Sequence, residues 1–398
     1  MPEASPHADR AKALRHKFLQ TFNDAKRKIA VTRSPGRINL IGEHTDYNEG
    51  YVFPAAVNKA VWVAAQRRTD TKVVVYSATV NEKIEFDLKT MRFVPDHGWA
   101  NYPKGVLHGL VNRGWKLEGL NLYLESDVPM GGGMSSSAAL ECAVAYAAIA
   151  LFPYQLDRLS MVKLCQRAEN TFVGVGCGIM DQYASAFGRR GFALMLDCRS
   201  LACEHVPIAL DRHRIVVVNS GVKRKLATAE YNKRREQCNE AVTLLKEKFP
   251  NIKALRDLSV SDLPVALDIL VPTLRRRTEH VVRENQRVLD AVAALKGNDL
   301  ATFGRLLNES HTSLRDLYEV SCPELDALAA TAQKAEGAVG ARMMGGGFGG
   351  CIIAIVETGQ VDALKRDVAR AYQRKFGCEA LIYEVETDDG TGEIGGQA

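Results

Sequence analysis

The chain has 398 residues, 46% of them hydrophobic and 25% charged, which is enough for two domains and a sizeable core in an ordinary globular protein. A formal net charge of +5 is small for this length; it argues against DNA or RNA as a partner and is compatible with an anionic nucleotide. Nine cysteines with no CxxC pair point to reduced thiols in a cytoplasmic protein, not to a disulfide framework or a zinc site.

Taken in chain order, residues 8–27 have helical spacing and read as an amphipathic lead-in, and their polar, charged surroundings carry no secretory signal. From Ile29 to about Leu88, β-rich runs alternate with turns: Val61-Trp62-Val63, Val73-Val74-Val75-Tyr76 and Ile84-Glu85-Phe86. A helix is expected from Trp99 to Val111, a strand from Leu120 to Leu124, and helices over about 136–152, 157–172 and onward from 179. The apolar stretch Ala138 to Phe152 contains Glu141 and is too short to cross a bilayer, so it reads as a buried helix and no membrane partner is expected. Strands are expected at Phe192–Leu196 and Arg214–Val218, a mostly helical segment at 228–335, and a strand–turn–strand unit around Gly345–Gly350, followed by a helix and a strand to about 385. The Gly-rich, acidic tail Asp388–Ala398 reads as disordered. No linker stands out; a soft boundary near 205 divides an expected N-terminal unit, 1–205, from a C-terminal one, 206–398. The basic runs Lys223-Arg224-Lys225, Lys233-Arg234-Arg235 and Arg275-Arg276-Arg277 read as solvated charges, with a place near nucleotide phosphates left open for the first two.

Three islands carry chemistry. Ser34 to Tyr47 packs Arg37, Glu43, His44 and Asp46 into a short span bracketed by glycines. Carboxylates accept from hydroxyls, His does either, and Arg is always cationic, so the set suits a small polyhydroxylated ligand. Pro129 to Ala139 joins a strand to a helix through Gly131, Gly132 and Gly133, then Ser135, Ser136 and Ser137. Glycines let backbone N–H groups approach a phosphate, and the helix N-terminus adds donors and a positive dipole end; the serines offer caps or hydroxyls. It is not a Walker A loop, because no Lys follows the glycines, nor a dinucleotide loop, because Ser136 holds the third glycine position. Gly345 to Gly350 fits GxGxxG as a string, but the β-branched run Cys351–Val356 puts a strand after it where a dinucleotide fold needs a helix. Asp181, in Gly176-Cys177-Gly178-Ile179-Met180-Asp181-Gln182, sits at a helix start, where any carboxylate is favoured. By themselves Glu169 is a helical charge and Tyr231 a helix aromatic.

The run Gly36–Tyr47 resembles the sugar-binding motif of galactokinases, in the GHMP kinase superfamily; Pro129–Ala139 and Gly345–Gly350 resemble the family's second and third motifs, and Trp99-Ala100-Asn101-Tyr102 and Glu309–Asp326 extend the likeness over about Val31–Val385. The resemblance implies an α+β, two-domain GHMP kinase fold, with a ribosomal protein S5 domain 2-like N-terminal domain, a ferredoxin-like C-terminal domain and the active site between them. It implies ATP-dependent phosphorylation of the anomeric hydroxyl of α-D-galactose, the entry step of galactose catabolism, with ATP and Mg²⁺ as cofactors. Asp181 takes the family's catalytic carboxylate position, with Arg37 beside it. By the same resemblance Arg37, Glu43, His44, Asp46, Gly178, Asp181 and Tyr231 are expected to contact the sugar, Asp46 toward the ring hydroxyls and Glu43 and His44 nearer the exocyclic end. Gly131, Gly132, Gly133, Ser135, Ser136 and Ser137 are expected to cradle the nucleotide, and Ser137 with Glu169 to hold the metal. Met344 replaces the Thr that commonly precedes the third motif's glycines. Thr45 favours galactose over N-acetylgalactosamine, whose kinases tend to carry a bulky aliphatic residue there, and the uninterrupted Ser135–Ala139 favours an enzyme over a catalytically silent sensor of this fold, which is shortened after the loop serines. Oligomeric state is left open, with a monomer favoured.

Overall fold

In the computed structural model, which describes residues 7–129, 131–210, 212–222 and 227–395, strand Pro54–Arg67 is the centre of the first sheet. Side chains on a strand alternate between faces. Val57, Val61, Val63 and Ala65 enter the main core, while Ala60, Trp62 and Ala64 meet Ala11, Leu14 and Phe18 of helix Ala8–Phe22 on the opposite face. The six strands run in the order Gly392–Glu393, Ile29–Asn39, Pro54–Arg67, Leu120–Ser126, Lys72–Ser77, Glu82–Asp87. Helix Ser136–Leu151 is apolar on all sides and accordingly buried, packed on strands Ile29–Asn39 and Pro54–Arg67 and on helices Asn101–Asn112 and Met180–Phe187. No helix among the described residues is long and apolar enough to cross a membrane.

The second sheet takes the order Ala338–Met344, Cys351–Glu357, His213–Asn219, Leu381–Val385, antiparallel throughout. In chain order helices stand between His213–Asn219 and Ala338–Met344 and between Cys351–Glu357 and Leu381–Val385, which is the ferredoxin-like arrangement. Its alternation ties the two halves of the molecule together. Ile215, Val217, Ile353 and Ile355 face the first core, and Val216, Val218, Ile352 and Ala354 face a second core with helices Ala227–Leu245, Pro272–Lys296 and Pro323–Gln333. A third sheet, Tyr51–Val52, Phe192–Asp197 and Cys203–Pro207, includes a last strand that its polar sequence CEHVP does not announce.

Several local expectations need correcting. Residues 168–173 continue helix Arg158–Arg167 as a π-turn, not as plain α-helix. Arg234 and Arg277 are buried, not solvated: Arg234 donates to the carbonyls of Tyr318 and Glu319, and Arg277 to Leu317 O and the Glu319 carboxylate. Lys223-Arg224-Lys225 lies outside the described residues, as does Met130.

The tail is ordered through Gly395, contrary to its composition; residues 396–398 lie outside the description. Gly392–Glu393 pairs with Thr32–Arg33 and covers the open edge of that strand, which would otherwise present unpaired N–H and C=O groups. Asp388 is buried between Arg33, at 2.5 Å, and Arg190, at 2.8 Å. The buried Thr391 hydroxyl bonds Ser34 Oγ at 2.8 Å and donates to Ser185 O at 2.9 Å. Thr391→Val keeps the shape and strands buried partners, so it is expected to cost about 1–2 kcal/mol in urea unfolding while leaving turnover unchanged. An unchanged midpoint would mean the Thr391 hydroxyl contributes nothing to stability.

Candidate active site

Strand Ile29–Asn39 delivers Arg37 to its C-terminal end through an irregularity in pairing between Pro35 and Arg37. Arg37 N donates to Met134 O at 3.1 Å, and a Cβ at Gly36 would come within 2.7 Å of that same oxygen, so glycine is what lets the strand approach the phosphate loop. Beyond the strand the backbone turns sharply. His44 adopts a left-handed φ of 63°, which for a residue with a side chain marks a position imposed by its surroundings. Thr45 Oγ1 imposes part of it, its one proton shared between Gly42 O at 2.9 Å and Tyr51 O at 2.6 Å. Thr45 is fully buried and does not line the cavity, so any influence on sugar choice passes through the loop's shape.

Glu43 is held from the far end of the chain. Its Oε1 accepts from Gly345 N at 2.8 Å and pairs with Nη2 of the fully buried Arg342 at 2.9 Å, while Arg342 Nη1 donates to Asn39 O and Leu40 O. One carboxylate oxygen of Glu43 is therefore occupied in joining the first motif to the third. Arg342 was not singled out in the sequence, where it sits unremarked in an apolar strand.

Arg37, Glu43, His44, Asp46, Asp181 and Tyr231 line one cavity of about 220 Å³, together with Glu169, Cys177 and Gly345–Phe348. At its floor Arg37 Nε donates to Asp181 Oδ1 at 2.7 Å and Nη2 lies 2.6 Å from the same atom. Arg37 Nη1 also donates to Gly133 O, linking the pair to the phosphate loop. Burial opposes the Arg37 charge, but the carboxylates of Asp181 and Glu43 outweigh it and hold the guanidinium above its ordinary pKa. Asp181 Oδ2 accepts from Ser135 Oγ. Ser135 thus makes no helix-capping bond; it takes a left-handed φ of 53° and turns its hydroxyl to the carboxylate.

Asp46 stands across from Asp181. Burial, then the Asp181 charge, push its carboxyl up to about 7. Gly178 is not a lining residue; it makes room, since a Cβ there would sit 2.0 Å from Asp46 Oδ2. The raised value has a sign. Between its unfolded pKa of 3.8 and about 7 the folded chain binds the extra proton, so this group's stabilisation is complete at acid pH and is lost as pH rises toward 7. A ligand whose hydroxyls donate to Asp46 favours its ionised form. Sugar binding near pH 6.5 is therefore expected to release a proton, and calorimetry in buffers of different ionisation enthalpy would read it; zero net release, or uptake, would exclude Asp46 as the acceptor.

The phosphate loop meets the third motif directly. Gly131 and Gly133 have φ of 68° and 66°, and a Cβ on Gly133 would lie 3.2 Å from Met344 O. Met344 supplies no hydroxyl, but its Sδ accepts from Asn39 N at 3.4 Å. Ser136 and Ser137 open onto a second cavity of about 250 Å³ walled by Val61, Val80, Trp99, Tyr102 and Leu140. Gly132, the middle glycine, packs on Pro129, where a Cβ would come within 2.9 Å. Glu169 sits on the π-turn, an element often found at functional sites. Burial and the Asp181 charge raise its carboxyl to about 7, against hydrogen bonds from Cys177, Ser137 and Gln182. Gln182 Nε2 donates to Glu169 Oε2 at 2.8 Å and to Glu141 Oε2 at 3.0 Å, and Glu141 Oε1 is buried without a partner. Burial, then the Glu169 charge, also hold the Glu141 carboxyl well above its ordinary pKa. Two buried carboxyl groups and a serine hydroxyl make an oxygen-rich corner that fits a hard cation taking the place of their protons.

Comparison with known proteins bears on this geometry. The Galactokinase galactose-binding signature matches residues 16–67, the GHMP kinases N terminal domain residues 101–189, and the GHMP kinases C terminal model residues 291–374. The chain is 45% identical over 381 residues to the galactokinase of Roseiflexus sp. (strain RS-1), covering 96% of each, and 43% identical over 386 residues to that of Clostridium beijerinckii, covering 96% and 98%. Among solved structures it is similar to Lactococcus lactis galactokinase complexed with galactose, with a TM-score of 0.91, 39% identity and coverage of 96% and 99%. The Methanococcus jannaschii mevalonate kinase shares the fold at a TM-score of 0.66 and 15% identity, covering 92% and 99%. The signature's residues thus fall on the loop that carries Arg37 to Asp46, and the relatives match from end to end: the chain belongs to the galactokinase family of GHMP kinases.

Proposed function

We propose that this chain transfers the γ-phosphoryl group of ATP to the anomeric hydroxyl of α-D-galactose, giving galactose 1-phosphate and ADP. The observation that carries this reading is the Arg37–Asp181 pair, at the junction of the carboxylate-lined cavity and the phosphate loop. Asp46, His44, Tyr231 and the free side of Glu43 hold the sugar. Asp181 accepts the anomeric proton as that oxygen attacks the γ-phosphorus and the β–γ bridging bond breaks. Arg37 balances charge on the attacking oxygen and the transferring group, since phosphoryl transfer is chiefly positioning and electrostatics.

The glycines Gly131 to Gly133 and Ser135 to Ser137 take the nucleotide phosphates, Ser135 while also steadying Asp181. The second cavity, which sets Trp99, Tyr102 and Leu140 beside Ser136 and Ser137, takes the base. Ser137 and Glu169 would hold Mg²⁺, which neutralises phosphate charge when bound. Among the described residues no group of three or more His, Cys, Asp or Glu is placed to hold a metal, so the ion's remaining ligands would be nucleotide oxygens and water. Nine unpaired thiols fit a reducing, cytoplasmic setting.

A coupled ADP-release assay with galactose, glucose, N-acetylgalactosamine and no sugar tests the reading. Turnover is expected with galactose and very little with its epimer glucose, which leaves buried polar groups unpaired. Comparable rates with glucose would overturn the sugar assignment, preference for N-acetylgalactosamine would indicate its kinase, and no ADP release with any sugar would indicate a silent sensor.

A further inference from the structure

His44 faces the sugar cavity with one ring nitrogen and a closed chain of buried groups with the other. Its Nδ1 lies 2.7 Å from Tyr47 Oη, Tyr47 Oη lies 2.8 Å from Tyr318 Oη, and Tyr318 Oη lies 3.1 Å from Cys238 Sγ. Asn48 Nδ2 donates to the same sulfur at 3.6 Å. Tyr318 and Cys238 are buried, and His44 Nε2 is buried with no side-chain partner, the Gly346 backbone being the protein group set against the ring. His44 is therefore the end of this chain that meets the cavity.

Two polarities are possible on geometry alone, and chemistry separates them. If the protons ran from His44 toward Cys238, the sulfur would accept from both Asn48 and Tyr318, and its own S–H would have no acceptor in the chain. Sulfur is a weak acceptor, so the strongest donor in the chain would be spent on its poorest acceptor. In the reverse polarity every group is used once in each role. Cys238 accepts from Asn48 and donates to Tyr318, Tyr318 donates to Tyr47, and Tyr47 donates to His44 Nδ1. The backbone of Gly346, lying against the ring, also favours a ring N–H on the remaining nitrogen. The ring is neutral, because burial, then His280 and Arg234, hold its pKa well below the ordinary value.

We propose that Tyr47, Tyr318 and Cys238 are positioning residues that lock His44 as the Nε2–H tautomer, so that it offers the sugar a hydrogen-bond donor and requires an acceptor oxygen there. The consequence for sugar recognition rests on the function proposed above; the tautomer itself does not.

Long-range ¹H–¹⁵N correlation of the full-length protein, without ligand and with the His44 signal assigned by its loss in His44→Gln, reads the tautomer directly. The Nε2–H pattern is expected in the native chain, with a shift toward Nδ1–H in Tyr47→Phe. An Nδ1–H pattern in the native chain, or no change in Tyr47→Phe, would overturn the proposal. In kinetics, Tyr318→Phe and Cys238→Ala are each expected to raise KM for galactose several-fold to about tenfold with kcat and the KM for ATP unchanged. Cys238→Ser, which keeps a donor at the chain's end, should restore the native KM; equal defects in Cys238→Ser and Cys238→Ala would reduce the cysteine to a packing role. If a different sugar proves to be the substrate, the spectroscopic result still decides the tautomer.

Discussion

Asp181→Asn is expected to lower kcat by about 10²–10⁴-fold, the range typical of general acid–base catalysis, with galactose still bound. The substitution preserves size and a hydrogen-bond acceptor for Arg37, which now reaches the carboxylate through Nε and Nη2. It removes the negative charge and the group that receives the anomeric proton. It also loosens the grip on Ser135, whose hydroxyl donates to the other carboxylate oxygen beside the phosphate loop. Arg37→Lys separates charge from geometry: the ammonium keeps the charge but cannot span Asp181 and Gly133 O at once, so a smaller loss of kcat is expected. The measurement is steady-state kinetics at saturating ATP, with direct galactose binding as control. Near-native turnover in folded Asp181→Asn would show that Asp181 is neither base nor essential electrostatic partner.

Much of the site was legible because its residues lie close together in sequence and have few other uses. Arg37 to Asp46, the phosphate loop and the Gly345–Gly350 turn could be read as local patterns: the first and third line one cavity, Ser136 and Ser137 line its neighbour, and Gly133 O joins them through Arg37. What escaped was the long-range wiring. Arg342 lies some 300 positions from the carbonyls of Asn39 and Leu40 that it holds, and nothing in its apolar neighbourhood marks it. The same holds for Ser135: a helix-start serine normally accepts a backbone N–H as a cap, but here a left-handed φ of 53° and O–H donation to Asp181 turn the hydroxyl away from the helix. The β-rich run Val61–Val63 marks strand Pro54–Arg67, which is apolar on both faces, whereas Cys203–Pro207 has no such run and takes its form from pairing with Phe192–Asp197. The tail failed for a related reason: Gly and Asp describe a disordered segment in isolation, but here the glycines admit close packing, Gly390 lying where a Cβ would come within 2.2 Å of Ala186 O, and Asp388 has two arginines to meet.

Gly178→Ala tests the sugar side of the site with the smallest possible change, and a KM for galactose raised by about 10- to 100-fold is expected. The added Cβ would lie 2.0 Å from Asp46 Oδ2 and 2.2 Å from its Cγ, well inside any tolerable contact. Gly178 is not among the glycines with a left-handed φ, so alanine there is free of backbone strain and the effect comes from the clash. Asp46 is the partner that must yield, yet its backbone is pinned: Glu49 N donates to Asp46 O, and Thr45 anchors the preceding turn. The side chain therefore rotates away from the ligand, forfeiting a charge-assisted hydrogen bond worth about 1.5–3 kcal/mol. The KM for ATP should not move, because the phosphate loop lies on the other side of Asp181. Coupling gives the sharper readout. If alanine acts through Asp46, then adding it to Asp46→Asn should cost far less than it does alone, since contacting residues are non-additive. Full additivity of the two changes, or a native KM in Gly178→Ala, would show that the close approach of Gly178 to Asp46 is not what shapes the sugar site.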